Sequence, residues 1–435
     1  MNVALPRTKA ESAYLNAVSA GNAGPQWLKG LRRAGYESFA GAGLPHRRLE
    51  DWKWFDLRQI ADQPYPPAAS GAAPAAEVDA LVARSPFAKL ARARLVFVNG
   101  AFDEARSQLP ASGDVEFVRL AANDVPRWLT ESVAADGKDP ISALNAAFVS
   151  DGGALRIAAG ATADAPIEMV FVSTASEPST LTTRNVVVLE ENASATIIET
   201  HLGGSGAYVA NSVTEARLGK GSRLDRVKLE AEGPGAIHLA NFHADVGENA
   251  TLRDFTLTLG GRAVRQQGFV TVSGEGADVG VSGAYLLGGR QHADTRLVVD
   301  HAVPHGTSRE LFKCVMDESA RGVFQGKVIV RPHAQKSDGK QSSHALLLSE
   351  GAEFDAKPEL EIYADDVICG HGATSGELDE TQLFYLNSRG IPEVEAKSLL
   401  IAAFVGESFD TVNNEAIRDE LTRLAAEWLS GRSRA

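Results

Sequence analysis

The stretch that decides the fold is "VVVLEENASATIIET" (residues 186–200), because variants of it recur along the middle of the chain. They are "ARLGKGSRLDRVKLE" (216–230), "ADVGENATLRDFTLT" (244–258), "VTVSGEGADVGVSGA" (270–284) and, further on, "LLLSEGAEFDAKPEL" (346–360). Each copy reads as a strand, a tight polar turn holding one small residue, and a second strand. The small residues are Ala193, Ser222, Ala250, Ala277 and Ala352. The early copies follow one another at roughly 25–30 residues, a period of repeat architectures. Such a unit cannot bury its apolar face alone, so the copies must stack. The pattern predicts a mostly β chain with a parallel β-helix (solenoid) core; an antiparallel sandwich is the competing fold.

Working outward, the sequence from about 161 to 385 is rich in Val, Ile, Leu and Thr, punctuated by Gly, and has no Trp between Trp128 and Trp428. Residues 1–160 form a helical and mixed N-terminal region. "KAESAYLNAVSA", "PQWLKGLRRAGYESF" and "DPISALNAAFVSDG" carry helical spacing, and "ARLVFVNG" reads as a strand. Trp52 and Trp54 in "LPHRRLEDWKWFDL" are expected to be packing anchors. Residues 62–76 are Pro/Ala-rich and read as a linker or surface loop. Residues 386–435 turn helical again. Pro392 suits a first turn and Gly406 an end, and Ile417, Leu421, Leu424 and Trp428 make one apolar stripe with Gly431 as a cap. This terminal pair is expected either to cap the end of the solenoid or to dock another protein.

Bulk properties exclude several classes. The 435 residues carry a formal charge of −13, which argues against nucleic acid or an anionic membrane surface as the main partner. The N-terminus lacks the basic and apolar regions of a secretory signal, and no apolar stretch is long enough to span a membrane. With only Cys314 and Cys369, there is no disulfide framework, and the expected compartment is the cytoplasm. Phosphate-binding loops, dinucleotide fingerprints, zinc-protease and nucleophile-elbow motifs are all absent; "LGKGS" at 218–222 is too short for a phosphate loop.

What remains is histidine and cysteine chemistry. His292, His301, His305, His333 and His344 are scattered and read as structural, and Cys314 as a small buried thiol. Cys369 and His371 in "CGHGATSG" stand two apart, so on a strand they project from one face. A thiolate and an imidazole suit iron or zinc, yet a cluster takes about four protein ligands. The pair is therefore either part of a metal site completed by a distant segment or another subunit, or two ordinary strand residues.

The run "RGVFQGKVIVRPHAQKSDGKQSSHALLLSEGAEFDAKPELEIYADDVICGHGATSGELDETQLFYLNSRGI" (321–391) resembles the SufB/SufD family of iron–sulfur cluster assembly proteins. Fainter likeness reaches "LPHRRLEDWKWFDL" upstream and "SLLIAAF" downstream. "GHGAT" favours the SufD branch over the SufB branch, where the segment typically reads "EHEAT"; Gly370 stands where the family often has Ser. The resemblance implies a right-handed parallel β-helix flanked by helical regions, pairing with a SufB-like subunit through the β-helices, and docking of a SufC-like ATPase by the C-terminal helices. It implies a non-catalytic scaffold that builds a transient cluster and hands it on. His371 matches a family histidine proposed as a cluster ligand at the subunit interface, and Cys369 a neighbouring family cysteine. Some family complexes bind a reduced flavin, on which no motif here decides, and pairing of two copies of this chain stays open. The alternative from another class is a β-helix carbohydrate-active enzyme, in which Asp365 and Asp366 would do acid/base work.

Overall fold

The recurring corner is built on backbone geometry. Asn192, Gly221, Asn249, Gly276, His305 and Lys336 all have positive φ, between 52° and 71°. Glycine and asparagine adopt this left-handed conformation at least cost, and they fill the first four corners. The next residue is small and buried at each: Ala193, Ser222, Ala250, Ala277, Gly306 and Ser337. The left-handed residue also ties its coil to the next. Asn192 N–H donates to the Lys220 carbonyl (2.8 Å), Gly221 to Glu248 (2.8 Å), Asn249 to Glu275 (2.9 Å) and His305 to Gln335 (3.0 Å).

These corners stack into a solenoid of about eight turns in the computed structural model, which describes residues 6–19, 25–68, 73–111, 113–133, 139–175 and 177–432. Each turn gives one strand to each of two facing sheets. The first sheet runs from Ala93–Val98 through Ile167–Ser173, Ser194–Gly203, Arg223–Ala231, Thr251–Thr258, Asp278–Leu287, Thr307–Met316 and Asp338–Leu347 to Ile368–Gly376. The second runs from Gly153–Ile157 to Glu353–Ile362. Pairing along both is parallel, for example Leu224↔Leu252 and Val246↔Val272. The solenoid prediction therefore holds, with one correction. Ala352 precedes a strand of the second sheet and stacks on the turn of Ala320, so it belongs to the opposite corner. The two corners use the same strand–turn–strand chemistry, and a linear repeat cannot tell one half-turn from the other.

Apolar side chains fill the space between the sheets: Ile197, Leu224, Phe242, Leu252, Val279 and their neighbours. The N-terminal end of this space is stoppered. Ala101–Phe102 and Val115–Arg119 close it as antiparallel strands, and the rings of Phe97, Phe102 and Phe117 meet there at 5.5 and 5.2 Å.

Helices and loops cover both flanks. Tyr14, Phe39, Trp52, Phe55 and Tyr65 pack on Val209, Ile237 and Leu239 of the second sheet. Trp52 is buried as expected, with the Arg265 guanidinium 4.5 Å from its ring and Arg265 paired to Asp294 at 2.5 Å. On the first sheet, Ile401, Val405 and Phe409 of helix Glu393–Phe409 and Ile417 and Leu421 of helix Glu415–Arg432 lie against Val227, Leu229, Phe255 and Leu257. The terminal stripe is real but lies along the flank rather than over the end. Gly406 sits inside the first of these helices, at a helix cost of ~1 kcal/mol, and Gly431 is the residue before Arg432, the last described residue of the second.

Burial leaves several histidines uncharged. It pushes His201 down to about 3, and His292 and His301 down to about 4. The unfolded chain takes up these protons first as pH falls below ~6.5, so their contribution is present above that value and lost on the acid side. Glu230 and Glu310, both pushed up to about 8 by burial, act in the opposite sense: their contribution is full below ~4.5 and lost as pH rises to 8. We expect the melting temperature to peak near about pH 6 and to fall on both sides. Thermal scans from pH 4 to 9 check this, and a monotonic rise with pH would contradict the assignment.

Candidate metal-binding site at the open end of the solenoid

Strand Ile368–Gly376 is the last of the first sheet, and Glu353–Ile362 the last of the second. Among the described residues no strand pairs with their outer edges. Ile362, Tyr363 and Ile368 are exposed there, Ile368 by 65%. An uncovered double edge with apolar side chains is a template for another chain.

Register decides where Cys369 and His371 point. Ser308, Gly339 and Cys369 are consecutive partners across three strands, and so are Glu310, Gln341 and His371. Ser308, Glu310, Gly339 and Gln341 are buried on the face turned toward the other sheet, so Cys369 and His371 share that inner face at its mouth. Cys369 is half-buried against Val328, Val330 and Ala364. Burial raises its thiol pKa, and Asp338 adds to the effect. His371 is exposed. Gly370, Gly372 and Gly376 leave three positions on the outer face of this strand without side chains, with open space where a Cβ would stand. A thiol and an imidazole thus share one rim, on the face opposite those glycines. The carboxylates of Asp365 and Asp366 are exposed in the preceding turn, and Asp366 pairs with Lys336.

Among the other histidines, His344 reaches this strand through Thr374, on its opposite face. His292 packs on Phe55 (ring centroids 5.1 Å), His301 bonds Ser308 (3.0 Å), His305 forms a corner and His344 bonds Thr374 (2.7 Å). Cys314 is wholly buried, and burial pushes its pKa far up.

Sequence reasoning missed a buried charged cluster between the sheets. Arg226 bridges Glu199 and Asp254 at 2.7 Å each. Lys228 Nζ lies 2.7 Å from His238 Nε2, and His238 Nδ1 lies 2.6 Å from Glu232. Lysine only donates, so Nε2 accepts and Nδ1–H donates to Glu232. Glu230, Glu232 and His238 are, among the described residues, the one group spaced to hold a metal ion. Both imidazole nitrogens are already engaged, however, and the Lys228 ammonium supplies the cation. The strand pattern was the available signal: Glu199 and His201 alternate in phase with Ala195 and Ile197, as Arg226 and Lys228 do with Leu224.

Comparison with known proteins decides the family. The profile described as "SUF system FeS cluster assembly, SufBD core domain" matches residues 171–404, and "SufBD protein N-terminal region" matches residues 16–169. The chain belongs to the SufBD family. It is 31% identical over 396 residues to an iron–sulfur cluster assembly SufBD family protein of Synechocystis, covering 87% of this chain and 86% of that one. It is 29% identical to the iron–sulfur cluster assembly protein SufD of Escherichia coli, covering 90% and 91%. A SufBD family protein of Mycobacterium tuberculosis is 35% identical over 244 residues, 54% of this chain and 61% of the relative. This SufBD chain is thus an iron–sulfur cluster assembly protein and a SufD homologue, as its "GHGAT" run implied. Among the described residues no helix is long and apolar enough to cross a membrane.

The two thiols make the site's geometry testable. A native titration with a disulfide reagent at pH 8 is expected to count about one thiol per chain, absent from Cys369→Ser, with Cys314 reacting only after denaturation. Equal reactivity of both thiols in the folded chain would contradict the placement.

Proposed function

We propose that this SufBD chain is a non-catalytic scaffold subunit of a cytoplasmic iron–sulfur assembly complex. It pairs through its open solenoid end with a SufB-like subunit, carries a SufC-like ATPase on its C-terminal helices, and lends Cys369 and His371 to the nascent cluster, which is cargo. One observation carries the reading: the only cysteine–histidine pair two residues apart in the sequence stands at the mouth of a solenoid whose last strands pair with no further strand among the described residues. A partner solenoid that continues both sheets would satisfy those edges and bring ligands to the same rim. The bare glycine backbone at 370 and 372 favours close approach. Soft thiolate and imidazole ligands suit iron, and two of them need a partner's complement.

The ATPase surface has separate support. Helix Glu380–Ser388 buries none of its residues, and Phe384 (74%) and Tyr385 are exposed. Val394 and Leu399 of the following helix are also exposed, so four large apolar side chains face out from one helical region. ATP-driven motion of the docked ATPase would bias the scaffold between states by binding one more tightly than the other.

Two expectations separate the surfaces. His371→Ala should leave complex formation intact and lower cluster yield several-fold in anaerobic reconstitution; an unchanged iron and sulfide count would reject the ligand role. Phe384→Asp with Val394→Asp should abolish co-purification of the ATPase while the SufB-like partner is retained. Loss of both partners together would reject the assignment of separate surfaces.

A further inference from the structure

The inner face of the penultimate coil holds polar groups that its own surroundings leave unsatisfied. Gln341 is 1% exposed and Glu310 3%. Gln341 Nε2 donates to Glu310 Oε2 at 2.5 Å. Gln341 Oε1 and Glu310 Oε1 have no partner, and neither has Ser343 Oγ, two residues along on the same face. Space for the amide comes from the facing sheet: a Cβ on Gly326 would stand 2.1 Å from Gln341 Nε2. Toward the core, the register partner of Glu310 is Val281, which is apolar and buried. Toward the mouth, the register partner of Gln341 is His371. The polar column therefore ends on valine at one side and on the imidazole at the other. Neighbouring parallel strands lie about 4.8 Å apart, which brings a glutamine amide within reach of a ring on the next strand.

We propose that Gln341 is a positioning residue for His371: its Oε1, which makes no hydrogen bond in this structure, takes one imidazole N–H when the exposed ring turns inward, fixes the tautomer and leaves the other ring nitrogen facing the mouth. Glu310 anchors the arrangement by holding the amide from below. Burial keeps Glu310 protonated at neutral pH, so the anchor adds no charge beneath the imidazole. A ligating histidine commonly donates its second N–H to a fixed acceptor, which orients the ring and raises its basicity. An unpaired buried carbonyl costs about 1–3 kcal/mol, and a bond formed by turning the His371 ring inward would remove that cost. The inference deepens the proposed ligand role of His371 and rests on it for its purpose, though not for its test.

The test reads the tautomer directly and needs no metal. The full chain is labelled with 15N in the histidine rings, and long-range proton–nitrogen spectra are recorded at pH 8. The His371 signals are those absent from His371→Asn. The wild type is expected to show one fixed tautomer, with one nitrogen protonated and the other not. Gln341→Met should move both nitrogens toward the averaged values of a free imidazole, whereas Glu310→Gln, a neutral group of the same shape, should keep the wild-type pattern. If Gln341→Met fails to fold, Gln341→Asn withdraws the same amide by one methylene and should give the same averaging. An unchanged tautomer in a folded Gln341 variant, or averaging already present in the wild type, overturns the proposal. In the assembled complex the Gln341 variant should retain about tenfold less iron. A fixed tautomer lost in Gln341→Met beside an unchanged cluster yield in His371→Ala would uphold the positioning contact and reject the ligand role.

Discussion

Everything in this molecule depends on the backbone ladder that ties each coil to the next. A parallel strand satisfies its N–H and C=O groups only through neighbours on both sides. The left-handed corner residues extend the same dependence around the turn, because their N–H groups reach forward to the following coil. A structure bound this way has two ends, and each end must be dealt with. At the N-terminal end the chain does so itself, with antiparallel strands and a plug of phenylalanines. At the C-terminal end no described strand pairs with the last two edges, and Ile362, Tyr363 and Ile368 stand exposed beside them. This asymmetry makes the two ends of a structural repeat chemically different.

The interior carries a second constraint. Arg226, Glu199 and Asp254, with Lys228, His238 and Glu232 beside them, lie between the sheets where an apolar core would be expected. Burial alone pushes Glu199 up, but Arg226, His201 and Lys228 outweigh it and hold it well below the usual carboxylate range. Buried ion pairs add little net stability, since desolvation offsets most of their attraction. Their effect here is on register. A one-residue slip of strand Arg223–Ala231 would turn Arg226 and Lys228 outward, against the apolar stripe of the terminal helices, and leave their carboxylates unpaired.

The candidate site was legible only as far as a strand pattern reaches. That Cys369 and His371 share a face follows from their spacing, and that two ligands are too few follows from iron chemistry. The family resemblance supplied the histidine's proposed role. The sequence could not say that their common face is the inner one, or that Gln341 and Glu310 lie in register behind it, because those residues are about 30 and 60 positions upstream. The charged cluster was hidden for a related reason. Glu199, Arg226 and Lys228 look like solvent-facing residues until both sides of their strands prove to be covered.

By itself, then, the sequence determined the repeat, the corners and the helical flanks. Small residues after left-handed turns, Asn and Gly at those turns, and alternation along strands are local properties that any stretch of chain displays. Only the tertiary structure decided which face of each strand is enclosed, which corner Ala352 belongs to, and which end of the solenoid stays open. Alternation defines two faces but ranks neither, and the choice is made by what packs against them: the terminal helices on one flank, the Trp52 segment on the other, and, among the described residues, no further strand beyond the one that carries His371.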